Sequence, residues 1–442
     1  MIPVLTGFIA LLALAWGLNV AAIDGGQASL PWLMREQGLY LSGLLSIGLM
    51  SLAMVLATRP VMLERPLGGM DRIFRLHKWA GILAAVFAAL HWLIEMSDDV
   101  IKALYGRGGR PDKVEFGGLL ETLRDAGEEL GEFAIYLVLG MVVLSLWKRF
   151  PYKFWRHLHR AMPALYLVLG FHAAVLAPLD YWSQPVGVLL ALLLASGVVA
   201  SIVALTGRIG RDRRVEGVVT AVHSPAPDVT EVVCQLGEAW RGHRAGQFAF
   251  VAFTQLDRFE GAHPFTIASA DHGDRTLTFQ IKALGDHTRQ LASRVAVGQP
   301  VTVEGPYGRF VLERQNRNAR QIWIAGGIGV TPFLAWLDEL RTHHQTGTPI
   351  DLHYSTRNAE HDPFVDRLQA LCADLPEVKL HVHDSLAGTN LTPEALRKAH
   401  TSGARTEVWF CGPPRFGDQL KAGLTQLWHR RIRFHREAFE MR

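Results

Sequence analysis

The sequence predicts a multi-domain protein in which a six-helix transmembrane bundle precedes an antiparallel β-barrel domain and an α/β domain with a parallel sheet. Three observations predict this fold class. Residues 1–207 contain six apolar stretches, each close to the roughly 20 residues that a membrane span requires. Residues 215–315 read as short alternating strands between turn residues, and residues 316–442 alternate strands with helices. A short basic linker at residues 208–214 joins the two halves.

The charges that flank the predicted spans indicate their orientation. The spans are placed at residues 2–23, 39–58, 74–96, 131–147, 157–178 and 185–206. Basic residues cluster on one side of these spans, whereas the long connection on the other side is rich in acidic residues. Because basic flanks mark the cytoplasmic side, both termini are predicted to be cytoplasmic, in a bacterial inner membrane. The flanking residues account for the formal net charge of +4, which therefore indicates no nucleic-acid partner.

Four histidines lie as two pairs within the third and fifth predicted spans: His77 with His91, and His159 with His172. An ionisable residue inside a membrane is costly, and neutral imidazole is a common axial ligand of haem iron. Two such helices side by side predict two stacked b-type haems. The spacing of 14 residues separates His77 from His91 by about 21 Å and brings them within about 40° of one helix face.

The second pair fits a straight helix less well. His159 and His172 would be about 140° apart around an ideal helix. His157 lies 15 residues before His172, and so closer to the same face, which makes it an alternative ligand. Pro163, one turn after His159, is a site where the helix is expected to distort. The spacing alone therefore leaves both His157 and His159 open.

The predicted barrel contains three sequence motifs. Its strands are predicted at Val215–Val222, Val229–Leu236, Gln247–Phe253, Thr276–Ala283 and Pro300–Val303. The motifs are His263-Pro264-Phe265-Thr266-Ile267-Ala268-Ser269, Lys282-Ala283-Leu284-Gly285-Asp286-His287-Thr288 and Gly305-Pro306-Tyr307-Gly308. Each is a weak signal alone, because such runs also form ordinary strand edges and turns. Their order and spacing carry more information than any one of them.

The predicted α/β domain has motifs at the carboxyl ends of its strands. The strand Ile322–Ala325 runs into Gly326-Gly327-Ile328-Gly329-Val330-Thr331-Pro332, and a helix is predicted at residues 333–342. Glycines between a strand and a helix N-terminus let the backbone approach a pyrophosphate. The strand Asp351–Tyr354 ends in Ser355-Thr356-Arg357, and the strand Glu407–Phe410 ends in Cys411-Gly412-Pro413-Pro414. This edge of an open α/β sheet is where ligands bind.

On these motifs the C-terminal half resembles the ferredoxin-NADP reductase superfamily, and the six-span half resembles the transmembrane domain of ferric reductases and NADPH oxidases. The resemblance implies an FAD site that involves His263, Pro264, Phe265, Thr266, Ser269, Lys282, Gly285 and Thr288. It implies an NAD(P)H site that involves Gly326, Gly327, Gly329, Thr331, Cys411, Gly412 and Pro413.

The resemblance also implies which residues act at the reacting rings. Phe265 would stack near the flavin and Thr266 would approach its reactive nitrogen, while Cys411 would border the nicotinamide. Phe439 resembles the terminal aromatic residue that covers the flavin in the family. The family's fifth-span pattern favours His159 over His157, which gives His77, His91, His159 and His172 as the expected haem ligands.

Together these features predict a transmembrane oxidoreductase. NAD(P)H gives up two electrons as a hydride whereas a haem iron takes one, so FAD is the expected converter. Electrons would pass from cytosolic NAD(P)H through FAD and two b-type haems to an acceptor on the outer face, expected to be a ferric or other metal chelate or another periplasmic acceptor. Arg357 favours NADPH over NADH, because a cation can pair with the 2′-phosphate.

Two alternative functions remain open on the sequence. One is an NADPH oxidase that makes superoxide, although Glu95 stands where these oxidases commonly have a histidine one turn beyond the outer ligand. The other is a haem-free, membrane-anchored flavin reductase that serves a cytoplasmic partner protein. The sequence predicts neither which compound is the physiological acceptor nor the oligomeric state.

Overall fold

The computed structural model describes most of the chain and divides it into two compact units. The described residues are 2–22, 29–110, 116–147, 149–253, 261–312, 315–316, 319–343, 349–399, 405–428 and 432–437. The first unit, called the helical unit here, comprises Met1–Gly68 and Arg72–Ile209. The second, called the sheet unit, comprises Gly69–Asp71 and Gly210–Arg442.

The helical unit consists of helices joined by short connections. They are α1 (Ile2–Ala22), α2 (Leu30–Ala57), α3 (Val61–Leu67), α4 (Met70–Glu95), α5 (Asp98–Tyr105), α6 (Leu119–Leu146), α7 (Tyr152–His159), α8 (Met162–Leu176) and α9 (Pro185–Leu205). Five of them, α1, α2, α4, α6 and α9, are long and apolar enough to cross a membrane within the described part of the chain. The predicted count of six spans is therefore not reproduced.

The predicted fifth span, residues 157–178, is divided between α7 and α8 by a turn at Arg160 and Ala161. Pro163 lies at the start of α8, where its missing N–H leaves the carbonyl of His159 without the usual helical donor. With 15 residues, α8 is shorter than the other apolar helices. The predicted span is thus interrupted between α7 and α8 and is not one continuous helix.

Helices α1, α2, α8 and α9 pack around one apolar core. Small residues allow the helices to approach closely, as is usual between membrane helices. A Cβ at Gly48 of α2 would lie 2.7 Å from Cδ1 of Leu12 on α1, and Gly197 of α9 leaves room for the hydroxyl of Tyr166 on α8. That hydroxyl is 2.8 Å from Oγ of Ser51 on α2, so the buried polar groups satisfy one another.

The first half of the sheet unit is a six-stranded antiparallel sheet in the order β4-β3-β6-β1-β2-β5. Its elements are β1 (Arg214–Ala226), β2 (Val229–Leu236), β3 (Phe248–Phe253), β4 (His263–Thr266), β5 (Thr276–Lys282), α10 (Asp286–Arg294) and β6 (Pro300–Tyr307). In the described residues the two edge strands are linked by one isolated bridge, Ile267 to Phe279. The antiparallel sheet is confirmed, but full closure into the predicted barrel is not.

The second half of the sheet unit is a five-stranded parallel sheet in the order β11-β10-β7-β8-β9, as predicted. Its elements are β7 (Arg320–Gly326), α11 (Thr331–His343), β8 (Ile350–Thr356), α12 (Val365–Ala373), β9 (Val378–Asp384), α13 (Pro393–Ala399), β10 (Thr406–Cys411), α14 (Pro414–Trp428) and β11 (Ile432–Arg436). Its central strands are buried on both faces, since Trp323 and Ile324 of β7 belong to different apolar cores.

Helix α11 contacts both halves of the sheet unit. The indole of Trp336 is fully buried, donates to the carbonyl of Ala245 at 3.0 Å and stacks on Phe310 at 4.9 Å between ring centroids. Two residues further along, the carboxylate of Asp338 accepts from the amide of Ala270 and from Nε2 of His272, both at 2.9 Å. These contacts fix the segment that follows β4 against the helix that follows β7.

Candidate functional site

The helical unit brings the four predicted ligands together as two facing pairs. The imidazole of His77 on α4 lies opposite that of His159 at the end of α7, with ring centroids 6.0 Å apart and ring planes at 84°. His91 on α4 lies opposite His172 on α8 at 6.3 Å and 85°. His157, the alternative ligand, is exposed instead. Because the chain turns between α7 and α8, the phase of one straight helix does not apply across residues 157–172.

Three of the four histidines are oriented by backbone carbonyl groups. Nδ1 of His77 donates to the carbonyl of Ala53 at 2.9 Å, and Nδ1 of His91 donates to that of Leu39 at 3.0 Å, both on α2. Nδ1 of His172 donates to the carbonyl of Gly127 on α6 at 2.8 Å. A histidine that binds metal through Nε2 typically donates its other N–H in this way.

Small residues expose these acceptor carbonyls. In a helix a carbonyl is covered in part by the side chain four residues later. That later residue is Gly43 for the Leu39 carbonyl and Gly131 for the Gly127 carbonyl. A Cβ at Gly43 would lie 3.1 Å from the ring of His91, and one at Gly131 would overlap the ring of His172. These glycines therefore make room for the imidazoles.

The geometry of both pairs fits a metal ion between the two rings. An ion bound to one nitrogen of each imidazole at about 2.0 Å would hold the ring centres roughly 6 Å apart. The observed centroid distances of 6.0 and 6.3 Å match this spacing. Because Nδ1 is engaged in three of the rings, Nε2 is the nitrogen available to a metal in those rings. Two neutral imidazoles are the donor set of a b-type haem.

The predicted flavin motif forms strand β4 and its continuation. Thr266 is buried beside β3, and Phe265 is half-buried against the core of the antiparallel sheet. His263 at the start of β4 stacks on His287 in the first turn of α10, with ring centroids 3.9 Å apart. The hydroxyl of Ser269 accepts a hydrogen bond from the amide of Thr278 at 3.2 Å, which links the segment after β4 to β5. The first two motifs thus meet at one edge of the sheet.

The side chains of Thr288 and Lys282 make structural contacts at the same edge of the antiparallel sheet. The Thr288 hydroxyl accepts from the amides of Leu284 and Gly285 at 3.0 Å each, which caps the first turn of α10. Lys282 pairs with Asp228 at 3.2 Å. Pro264 lies within β4, in register with Phe250 of β3. These side chains shape the loop around the N-terminus of α10.

The predicted nucleotide loop follows β7 and packs against the loop that follows β10. A Cβ at Gly326 would lie 2.8 Å from Cδ of Pro413, and one at Gly412 would lie 3.0 Å from the amide nitrogen of Gly326. Gly329 is equally constrained, because its Cβ would overlap the Cys411 carbonyl. Only glycine permits this close approach. The two loops therefore meet at the carboxyl ends of the central strands.

The remaining residues of the nucleotide loop close its first turn. Gly327 adopts a left-handed φ of 54°, which a side chain would strain. The hydroxyl of Thr331, the first residue of α11, donates to the carbonyl of Ile328 at 2.7 Å. The backbone amides of this turn are thus presented at the start of a helix of 13 residues.

Cys411 ends β10 and is fully buried among the apolar residues that surround Trp336. Burial raises the pKa of its thiol well above the usual range, and the nearby Glu437 raises it further. The thiol is therefore neutral at physiological pH. Phe439, the predicted flavin cover, lies outside the described residues.

Arg357 follows β8 with an exposed side chain. Its loop is anchored from the end of β9 by Asp384, whose carboxylate accepts from the amides of Ala359 and Leu386 at 2.9 and 2.8 Å. The amide of Ala359 and those of the following turn hold the pKa of Asp384 below its usual value. The guanidinium thus extends from a fixed loop at the carboxyl edge of the sheet.

Comparison with known protein families agrees with this architecture. A family described as a ferric reductase like transmembrane component matches residues 42–170, which include His77, His91 and His159. An FAD-binding domain family matches residues 219–311, and an oxidoreductase NAD-binding domain family matches residues 323–421.

Individual relatives match part of the chain. The carnitine monooxygenase reductase subunit of Escherichia coli is 33% identical over 141 residues, which are 32% of this chain and 40% of that protein. The ferredoxin reductase component of the naphthalene 1,2-dioxygenase system of Pseudomonas putida is 26% identical over 216 residues, 47% of this chain and 63% of that protein. The chain thus spans less than two thirds of these relatives.

Among solved structures, a ferredoxin NADP+ reductase from Neisseria gonorrhoeae aligns with a TM-score of 0.42 at 22% identity, over 51% of this chain and 98% of that one. The three family matches follow one another in the order of the helical bundle, the antiparallel sheet and the parallel sheet. The chain therefore joins, in this order, a ferric reductase like transmembrane component, an FAD-binding domain and an oxidoreductase NAD-binding domain.

Proposed function

We propose that this protein is a transmembrane oxidoreductase that passes electrons from cytoplasmic NADPH to a metal chelate on the outer face of a bacterial inner membrane. Its cofactors would be FAD and two b-type haems. The haem domain would comprise residues 1–207 with six spans, the FAD domain residues 215–315 as a barrel, and the NAD(P) domain residues 316–442. The two facing histidine pairs are the observation that carries this proposal.

The histidines would hold haem iron through their Nε2 atoms. His77 and His159 would serve the site nearer the cytoplasm, and His91 and His172 the site nearer the outer face. The carbonyls of Ala53, Leu39 and Gly127 hold the imidazole rings of His77, His91 and His172 in position before haem binds. Prepositioned ligands reduce the reorganisation that binding and electron transfer require.

FAD, when bound, takes an electron pair from NADPH and supplies single electrons of the kind that haem iron accepts. Phe265 and Thr266 would contact its ring, with His263, Pro264, Ser269 and Lys282 around the site. The turn at Gly285 and Thr288 presents the N-terminus of α10, whose dipole favours the FAD pyrophosphate. Phe439 would cover the flavin until nicotinamide binds.

The glycine loop after β7 would receive the pyrophosphate of NADPH. Gly326, Gly327 and Gly329 leave the backbone open, and Thr331 closes the turn that begins α11. Cys411, Gly412 and Pro413 would border the nicotinamide. The exposed Arg357 would pair with the 2′-phosphate, which gives NADPH preference over NADH.

The acceptor is proposed to be a ferric chelate because carboxylates lie beyond His91 at the end of α4. Glu95, one turn further along α4, is bonded to Arg35 at 3.1 Å, and its side chain is 54% exposed. Asp98 lies beside the same arginine at 3.8 Å. Glu95 stands where oxidases that the sequence resembles commonly have a histidine, which favours a metal chelate over oxygen as the acceptor.

The central test is a reduced-minus-oxidised spectrum of the full chain purified in detergent, with haem counted per chain. Two b-type haems would support the proposal, whereas flavin alone would show a membrane-anchored flavin reductase. Reduction of ferric citrate without oxygen should proceed with NADPH. If superoxide dismutase-sensitive cytochrome c reduction is instead the faster activity, the protein is an oxidase.

A single substitution tests whether electrons pass through both histidine pairs. His91→Ala should abolish ferric citrate reduction on the outer side of reconstituted vesicles while NADPH still reduces the flavin. Retention of outer-face activity in this variant would contradict a path through both histidine pairs.

A further inference from the structure

One of the four paired histidines is held differently from the others. The Nδ1 atom of His159 is buried and has no hydrogen-bond partner within the described part of the chain. In His77, His91 and His172 the same atom donates to a backbone carbonyl. Some other contact must therefore set the orientation of the His159 ring.

That contact is an indole. The ring of Trp155, one turn earlier on α7, stacks on the imidazole of His159 with centroids 5.0 Å apart and planes at 22°. The Trp155 indole donates from Nε1 to Oγ of Ser145 on α6 at 2.9 Å. Ser145 in turn donates to the carbonyl of Met141 at 2.7 Å. A continuous set of contacts thus runs from α6 to the His159 ring.

We propose that Trp155 is the positioning residue for His159 and fixes its imidazole plane by ring stacking, with Ser145 as the anchor of the indole. This inference rests on the proposed function, in which His159 binds haem iron. A stacked indole restricts rotation of the imidazole about its Cβ–Cγ bond, as a carbonyl acceptor does for the other three histidines. Because stacking supplies no acceptor, it does not raise the basicity of His159 as a carbonyl does.

The two sites therefore differ in their surroundings although both have two histidines. At the site of His91 and His172 both rings donate to carbonyls. At the site of His77 and His159 only one does. Disturbing Trp155 should alter the second site and leave the first unchanged.

Electron paramagnetic resonance of the oxidised full chain provides the test, because the g values of a low-spin ferric haem depend on the angle between its axial imidazole planes. Trp155→Leu should shift the signal of one haem only. The His91→Ala variant, which retains the site of His77 and His159, identifies that signal. Trp155→Phe keeps a ring face and should retain the wild-type signal. Ser145→Ala should produce a smaller shift of the same signal.

Trp182→Leu is the matched control, since Trp182 lies in the connection after α8 with its side chain 42% exposed. It should leave both signals unchanged. A Trp155→Leu variant with wild-type signals would overturn the inference, as would one in which both haems are lost together. If the wild-type chain binds no haem, the proposed function itself fails; if it binds two and Trp155→Leu changes neither, only the role of Trp155 fails.

Discussion

Gly131 of α6 faces the imidazole of His172 on α8 so closely that a methyl group at this position would overlap the ring atoms Nδ1 and Cε1. Gly131→Ala should therefore displace His172 and remove one haem of two, as counted by a pyridine haemochrome assay. Alanine favours a helix over glycine by about 1 kcal/mol, so the loss cannot come from a weaker helix.

Gly140 on the same helix is the control for this substitution. A Cβ there would meet nothing within 4 Å. Gly140→Ala should keep two haems and equal or slightly raise the thermal stability. Equal haem content in the Gly131 and Gly140 variants would contradict the role assigned to Gly131.

The choice between the two neighbouring histidines of α7 gives a second prediction. His159 faces His77, whereas His157 is exposed. His159→Ala should lose the haem of that pair and reduce ferric citrate turnover at least 100-fold, since the path is then interrupted. His157→Ala should retain two haems and wild-type turnover. The reverse pattern in the haem count would restore the assignment that simple helix phase favours.

Nucleotide preference depends on Arg357 in the proposed site. Arg357→Ala should raise KM for NADPH by about 10- to 100-fold, the equivalent of one lost charge-assisted hydrogen bond, and leave KM for NADH within about twofold. Steady-state kinetics with both nucleotides measure this. Arg397→Ala, on α13, provides a charge-matched control. Unchanged NADPH affinity in Arg357→Ala would refute the assignment.

A histidine cluster on β8 and β9 predicts how stability depends on pH. Nδ1 of His353 and Nε2 of His383 are 3.0 Å apart, so one of these nitrogens must lack a proton. Burial lowers the pKa of His383, and the nearby His381 lowers it further. The hydrogen bond to the carbonyl of Thr389 acts in the opposite direction and raises this pKa in part. The unfolded chain therefore takes up the proton more readily than the folded chain.

The sign follows from this difference. Stability from His383 is complete above the unfolded pKa of about 6.5 and is lost as the pH falls toward the lowered folded value. The melting temperature of the sheet unit, followed by flavin fluorescence, should fall between about pH 7 and pH 5.5. His383→Gln should flatten this slope, while His361→Gln, at an exposed position, should not. A slope unaffected by His383→Gln would show that other groups dominate.

The strands of the sheet unit were predictable because local pattern determines them. The predicted strands Ile322–Ala325 and Glu407–Phe410 correspond to β7 (Arg320–Gly326) and β10 (Thr406–Cys411). Continuous apolar runs that end in glycine need no tertiary information to be recognised. The motifs consequently lie at the strand ends where they were expected.

The helices were less predictable where polarity or a turn interrupts them. Helix α6 begins at Leu119, well before the predicted start at residue 131. The prediction missed its first turns because acidic residues there lower the local hydropathy. A hydropathy average also passes over the turn at Arg160 and Ala161, although Pro163 signalled a distortion there.

The partners of the histidine pairs could not be derived from one sequence. The carbonyl acceptors depend on which helices neighbour α4 and α8, and on their axial register. A usable signal was nevertheless present, since Gly43 and Gly131 each follow an acceptor by four residues. Glycine at such positions in an apolar helix indicates a close neighbour, but not which side chain approaches.

The two acceptors on α2, Ala53 and Leu39, are separated by 14 residues, the same interval that separates His77 from His91 on α4. Sliding α2 along α4 by a single residue, about 1.5 Å, would withdraw both carbonyls at once. The hydrogen bonds of His77 and His91 therefore depend on the same axial position of α2 relative to α4. A displacement of α2 along its axis would therefore disturb the hydrogen bonds of both histidines together and could not alter one of them alone.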